Sequence, residues 1–357
     1  MRILQVVADG NPGGGTTHVA QILEGLREDY SLGSLGLVTQ RDSYLLHHAE
    51  KLGVPVYGLD FFQSRLAPRV PLRLREIFRK FDPHLVHLHG GRAAFFAALA
   101  SPDAPTIYSV HGYHFLHKNP VIRRLALSAE RLAAHRTIEI VFESRYDASV
   151  AEAHRIASAT GRKAIIPNAV PLPELTEART NPRHVGFVGR LERQKDPSLF
   201  LDVMKRLPEY SATIIGGGAL KGAVEAEIKR RGLSNVMMLG ALPHAEHLKA
   251  LPKFGVVVMT SRWEGLPILP LEAMWLRVPV VAANVGALDD IIEHEKSGLL
   301  VDSRSPDEFA SAIRRLAEDA ALRERIIKNG RDRIRSHFSE ERMLTEIRNL
   351  YGRIAKG

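Results

Sequence analysis

The stretch "NAVPLPELTEARTNPR", residues 168–183, decides how the rest of the chain is read. Its prolines and polar residues show neither the 3.6-residue period of an amphipathic helix nor the alternation of a half-buried strand, which marks an interdomain linker. Before it, apolar β-rich runs alternate with helical patterns: "RILQVV" then "THVAQILEGLRE", "LGSLGLVTQ" then "YLLHHAEKL", "VPVYGL" then "PLRLREIFRKF". The series continues with "LVHLHG", "TIYSVHG", "IEIVFES" and "KAIIPNAV". After it a second series begins, with "HVGFVGR", "SATIIGGG", "VMMLGAL", "GVVVMTS", "PVVAAN" and "SGLLVD" as its strands. Continuous apolar strands alternating with helices predict parallel sheets covered on both faces. The expected architecture is therefore α/β, with two Rossmann-like doubly wound domains at 1–168 and 184–335 and a linker at 169–183. Open sheets of this kind take ligands beyond the carboxyl ends of their strands, so a functional cleft between the domains is expected.

Composition agrees with two soluble cores. At 357 residues the chain exceeds the usual size of one hydrophobic core. No run of 18 apolar residues occurs, which argues against a spanning helix, and "MRILQVVADG" reads as a first strand rather than a signal peptide. The absence of cysteine excludes disulfides, thiol catalysis and Cys-ligated metals, and fits cytoplasmic residence. A formal charge of +9 points to an anionic partner: nucleic acid, an acidic membrane or a phosphorylated substrate.

Four constellations carry chemistry. "NPGGGTTHV" follows the first strand and opens a helix, where Gly14 and Gly15 let the backbone approach a ligand and free N–H groups suit an anion. "GRLERQK" places Arg190 and Lys195 just past a strand, two cations suited to a diphosphate or to simple solvation. "YSVHGYHFLH" ends a strand with His111, followed by His114 and His117. Their spacing raises a metal, but a glycine-containing segment makes a poor rigid helix and no acid adjoins it, so no metal centre is expected. His87 and His89 read as strand-end packing or lining of the expected cleft. Finally, "SRWEGLPILPLEAMW" strands Glu264 on a loop, while Pro270 suits a first helical turn and so predicts that Glu272 opens a helix. Those two acids either serve a ligand or merely face water and a helix dipole.

Taken together these pieces resemble retaining glycosyltransferase family 4, of the GT-B fold. The resemblance spans nearly the whole chain through "VHLHG", "IPNAV", "GRLERQKD", "MLGAL", "EGLPILPLEAM", "VGALDDII", "SGLLVD" and "FSEERMLTEIRNLY". It implies a metal-independent enzyme that moves a sugar from a nucleoside-diphosphate sugar to a hydroxyl, with no cofactor and no nucleic acid partner. The donor would lie mainly on the second domain, and residues 336–357 would form a helix crossing back to the first. By residue, the resemblance implies diphosphate contacts from Arg190 and Lys195, helped by Gly14, Gly15 and the backbone around Gly265, Leu266 and Ile268. It further implies ribose on Glu272, the base near Leu242, the donor sugar by Glu264, and His111 toward sugar or acceptor. Departures touch the sugar contacts: Ala169 and Ala287 stand where glycines are usual, and Asp290 where Glu is.

The rivals are a sugar-nucleotide 2-epimerase of similar architecture, a nicotinamide oxidoreductase and a silent binding module. The oxidoreductase is disfavoured because "GGGTTH" lacks the GxGxxG fingerprint. The acceptor is sought through "FFQSRLAPRVPLRLREIFRKF", residues 61–81. Val70, Leu74, Ile77, Phe78 and Phe81 share one helical face, with Arg69, Arg73, Arg79 and Lys80 to its sides and Arg65, Phe61 and Phe62 just upstream. Two readings stay open: a solvated surface helix, or peripheral docking on anionic lipid at the inner face of the plasma membrane, which would suit a lipid-linked rather than a soluble saccharide acceptor.

Overall fold

The computed structural model describes residues 1–29, 33–62, 69–170 and 181–356. Residues 171–180 of the expected linker, and Arg65, lie outside them. The chain divides into two compact units, one formed by Met1–Ala169 with Glu340–Gly357 and the other by Val170–Ser339. The second unit starts at Val170 and its first strand at Asn181, both ahead of the expected 184, and residues 336–339 stay with that unit.

The described strands of the first unit are β1 (Arg2–Val7), β2 (Ser34–Thr39), β3 (Val56–Gly58), β4 (Leu85–His89), β5 (Thr106–Val110), β6 (Glu139–Phe142) and β7 (Arg162–Ile165). Between them run α1 (Gly14–Leu26), α2 (Tyr44–Lys51), α3 (Arg69–Phe81), α4 (Gly91–Ala100), α5 (Pro120–His135) and α6 (Arg145–Ala153). All neighbouring strands pair in parallel in the order β3-β2-β1-β4-β5-β6-β7. Alternation along each strand sends its residues to opposite faces. Leu4 and Val6 of β1 meet Val70, Leu74 and Phe78 of α3 and Phe96 of α4, whereas Ile3 and Val7 meet Val19, Ile22 and Leu23 of α1. Each such side chain, once buried, contributes about 1.5–3 kcal/mol, so the two-faced pattern alone specifies the layers.

The second unit contains β8 (Asn181–Val188), β9 (Ser211–Ile215), β10 (Val236–Gly240), β11 (Phe254–Met259), β12 (Val280–Ala283) and β13 (Leu299–Val301). Its helices are α7 (Pro197–Lys205), α8 (Lys221–Arg231), α9 (His244–Ala250), α10 (Ile268–Trp275), α11 (Leu288–Ile291), α12 (Pro306–Glu318) and α13 (Ala320–His337). The sheet is again parallel, in the order β10-β9-β8-β11-β12-β13. The chain ends in α14 (Glu340–Lys356), whose Met343, Ile347 and Tyr351 are buried in the core that α1 and α2 share with the first sheet.

In each sheet the winding direction reverses once, between β1 and β4 and between β8 and β11. The loops at the carboxyl ends of those strands diverge there, which is where open α/β sheets bind ligands.

One local expectation is corrected. Helix α10 begins at Ile268, two residues before Pro270, so Glu272 is its fifth residue and not part of its opening turn. Proline is accepted at the third position because the first N–H groups of a helix have no intrahelical partner to lose.

Candidate functional site

At the reversal of the second sheet, the loop after β8 and the loop after β11 are stitched together by hydrogen bonds. Thr260 Oγ1 donates to the carbonyls of Lys195 and Asp196 at 3.0 and 2.9 Å, and the Arg262 N–H donates to the Gln194 carbonyl at 2.8 Å. Gln194 returns a bond from Nε2 to the Trp263 carbonyl at 3.1 Å. Asp196, buried at the N-cap of α7, receives Arg304 at 2.5 Å and Arg262 at 2.7 Å, so a charged clasp fixes both loops. Leaving Asp196 unpaired there would cost several kcal/mol, which makes the clasp structural.

The clasp presents Lys195 to Glu264. Lys195 Nζ lies 2.5 Å from Glu264 Oε1, which also accepts from Ser261 Oγ at 2.5 Å. The Glu264 side chain is 4% exposed, so the reading of this acid as solvated fails. Arg190 reaches outward from the same loop, its side chain 68% exposed and held loosely by Glu192 at 3.2 Å and Gln194 at 3.5 Å. The peptide of Glu264 rests against Gly286, whose φ is +61° and where a Cβ would stand 1.9 Å from the Glu264 carbonyl oxygen. Any side chain at 286 would therefore push the acid off its position.

Gly265 follows Glu264 with open space around its Cα, Leu266 is buried, and Pro267 caps α10 without a side-chain bond to its first N–H groups. Ile268 opens that helix. Leu242 sits half-buried on the loop from β10 to α9. Glu272, also buried, does not complement a helix dipole: its two oxygens are taken by His244 Nε2 at 2.7 Å and His247 Nε2 at 2.9 Å.

In the first unit, a row of polar side chains lines the α1 and α14 face of the sheet beneath the β1/β4 reversal. His87 and His89 of β4 are buried, and His89 Nε2 meets Gln5 Oε1 at 2.8 Å. Gln5 Nε2 donates to Tyr351 Oη at 2.9 Å, and Tyr351 Oη pairs with His87 Nδ1 at 2.6 Å. His111, past the end of β5, closes the row, with Nε2 3.2 Å from His89 Nδ1 and Nδ1 bonded to the Glu143 carboxylate. His111 is thereby held through both ring nitrogens, by His89 on one side and the Glu143 carboxylate on the other. Burial, reinforced by the neighbouring histidines, holds His87 and His89 well below the usual imidazole range, and burial holds His18 down to about 3. Gly15 is packed on this ring: a Cβ there would lie 3.1 Å from His111 Cδ2. Gly14 begins α1 in open space, one residue after its Gly13 cap. The side chains of His114 and His117 lie outside the described residues.

The structure thus joins Arg190, Lys195, Glu264 and Gly265 at one reversal, sets Glu272 against two histidines, and joins Gly15 with His111 at the other reversal. Sequence reading missed Glu143, Gln194, His244, His247 and Gly286. For Glu143 the available signal was a carboxylate at the carboxyl end of the strand in "IVFES"; for the histidines it was their i, i+3 spacing.

Comparison with known proteins follows the same division. A family profile described as "Glycosyl transferases group 1" matches residues 173–333, and one described as "Glycosyl transferase 4-like domain" matches residues 13–169. The matches to the first two curated relatives span only 43 and 46% of those proteins' own lengths. Longer matches include the alpha-D-kanosaminyltransferase of Streptomyces kanamyceticus, 29% identical over 72% of this chain and 74% of that one. Another is the UDP-Gal:alpha-D-GlcNAc-diphosphoundecaprenol alpha-1,3-galactosyltransferase of Escherichia coli, 23% identical over 78% of each. Among solved structures, Anabaena Alr3699/HepE in complex with UDP superposes with a TM-score of 0.82 at 20% identity, covering 99% of this chain and 100% of that one.

Proposed function

This chain belongs to the group 1 glycosyl transferases, and from that premise we propose that it moves a sugar from a nucleoside-diphosphate sugar to a hydroxyl, with retention and without a catalytic metal. The observation that carries the reading is the clasped pair of loops that sets Lys195 against Glu264 beside the free-reaching Arg190. A departing diphosphate needs fixed positive charge, and a planar guanidinium with an ammonium supplies it. The uncapped N–H groups opening α10 add to that charge. When a phosphate draws Lys195, Glu264 loses one of its donors and regains acceptor capacity for a hydroxyl of the donor sugar. For retention, as the family resemblance implies, the acceptor attacks the face from which the diphosphate leaves, and a leaving phosphate oxygen takes its proton. Glu272 holds the ribose hydroxyls once His244 and His247 release it.

The experiment is nucleotide binding by calorimetry in the presence of EDTA, with UDP, GDP and ADP as probes. One of them is expected to bind, and Glu272→Gln is expected to weaken it by about tenfold as charge-assisted bonds to ribose are lost. Unchanged affinity in that variant would remove Glu272 from the donor site.

The acceptor is proposed to be lipid-linked, like the diphosphoundecaprenol-linked acceptor in the name of the E. coli galactosyltransferase. No described helix is long and apolar enough to cross a membrane. Phe61 is fully buried, so the docking surface expected from residues 61–81 loses that residue, and Arg73 is paired with Glu76 at 2.6 Å. What supports docking instead is α5, which exposes Val121, Ile122 and Leu125 beside Arg124 and the preceding Lys118, with Arg69, Arg79 and Lys80 exposed on α3. At about 1 kcal/mol per cation near an acidic surface, such a patch binds anionic vesicles at low salt and releases them at high salt. Cosedimentation is expected to show this and to weaken in Val121→Ser with Leu125→Ser. Absence of binding to acidic vesicles at low salt would turn the search to soluble acceptors, of which a small saccharide is the second reading.

A further inference from the structure

His244 and His247 lie in the first turn of α9, at a spacing that puts both imidazoles on one face. Their Nε2 atoms point at different oxygens of one carboxylate, that of Glu272 on α10, at 2.7 and 2.9 Å. All three donor atoms fall within 4.8 Å of one another. Glu272 and His247 are shielded, with side chains 7 and 17% exposed, whereas His244 is 63% exposed and leaves an access route from solvent.

We propose that His244, His247 and Glu272 form a binding site for a zinc-class dication, and that this ion inhibits rather than assists the enzyme. The class follows from the donors. Two imidazole nitrogens and one carboxylate oxygen suit Zn2+, Co2+ or Ni2+, while Mg2+ prefers an all-oxygen shell and keeps its water. Three protein donors complete a tetrahedral zinc with one water on the exposed side. As the side chains stand, each histidine needs a ring proton to meet Glu272, and a dication placed among the same three atoms replaces both protons with one centre. Bonds of about 2.0–2.1 Å to all three donors require the exposed His244 ring and the Glu272 carboxylate to adjust their side-chain angles.

Inhibition rests on the reading of Glu272 as the ribose carboxylate: one carboxylate cannot hold both the ion and the sugar hydroxyls. The metal site itself does not depend on that reading.

The test titrates the full chain, freed of metal by chelator and desalting, with Co2+ followed by its visible absorption and with Zn2+ against a chromogenic chelator. One equivalent is expected per chain, with affinity lowered at least about tenfold in His247→Ala and in the exposed His244→Ala, and no response to Mg2+. No saturable binding overturns the site. So does binding that both variants retain unchanged, which would assign the ion to other histidines of the chain. A second arm measures binding of the nucleoside, which unlike the diphosphate does not chelate the ion through phosphates, with and without Zn2+. Zinc binding without loss of nucleoside binding keeps the site and removes inhibition together with the ribose role of Glu272. Nucleoside binding that depends on Glu272 in a chain that takes no zinc keeps the ribose role and removes the metal.

Discussion

Lys195→Ala is expected to lower kcat/KM for the donor by roughly 10- to 150-fold, the worth of one charge-assisted hydrogen bond of about 1.5–3 kcal/mol realised as the diphosphate departs. The same substitution leaves Glu264 buried with only Ser261 and Gln194 as donors, so some folding stability is lost too. Thermal denaturation reads the second effect alone, so activity compared well below each variant's denaturation midpoint reads the first. Affinity for the nucleoside alone should barely move, since the base and ribose are assigned to Leu242 and Glu272 and not to Lys195. Arg190→Ala should weaken turnover without that stability loss, its side chain being mostly exposed and loosely held. Full turnover in Lys195→Ala would remove the diphosphate assignment.

His111→Ala is expected to lower kcat by about a hundredfold or more, the scale on which a preorganised donor at developing charge acts. A bland alternative is available, because His111 also closes a buried polar row, and its loss would leave Glu143 and His89 without that partner. The two differ in what they move. A purely structural histidine changes thermal stability and leaves kcat near the wild-type value, whereas a histidine that faces the reaction loses kcat in protein that is still folded. Glu143→Gln is the companion: it keeps a hydrogen-bond partner for Nδ1 but removes the carboxylate, so it should cost less than His111→Ala. Both ring nitrogens of His111 are engaged, and substrate contact through a nitrogen requires exchange of the longer bond to His89 at 3.2 Å.

Much of the fold was legible because its signals are local. Most parallel strands are continuous apolar runs and most helices carry a stripe, so element order follows from period, and the aperiodic segment 168–183 divides the domains. The loops bearing Arg190, Lys195 and Glu264 were legible for the same reason, since they directly follow recognisable strands. Contacts between distant segments were not. Glu143 and His111 are separated by 32 positions, and the two histidines on Glu272 by 28 and 25, with nothing in either local pattern to announce the pairing. The start of α10 is not legible from Pro270, because proline serves equally well at the first and third positions of a helix. His87 and His89 alternate with leucine and valine in "LVHLH", a polar period of two inside an apolar strand that foretold a common face but not the tyrosine from α14 that meets it.

The activity proposed for this chain is metal-free sugar transfer with retention from a nucleoside-diphosphate sugar. Its most direct test needs no acceptor: proton NMR of the wild-type chain in EDTA with UDP-, GDP- and ADP-sugars of α configuration. Slow hydrolysis of one donor is expected, in which the first sugar released, before mutarotation, is the α anomer, and Lys195→Ala is expected to slow that release by roughly 10- to 150-fold. Release of the β anomer first, formation of a new nucleotide-sugar instead of free sugar, or activity that appears only when Mg2+ is restored would contradict it.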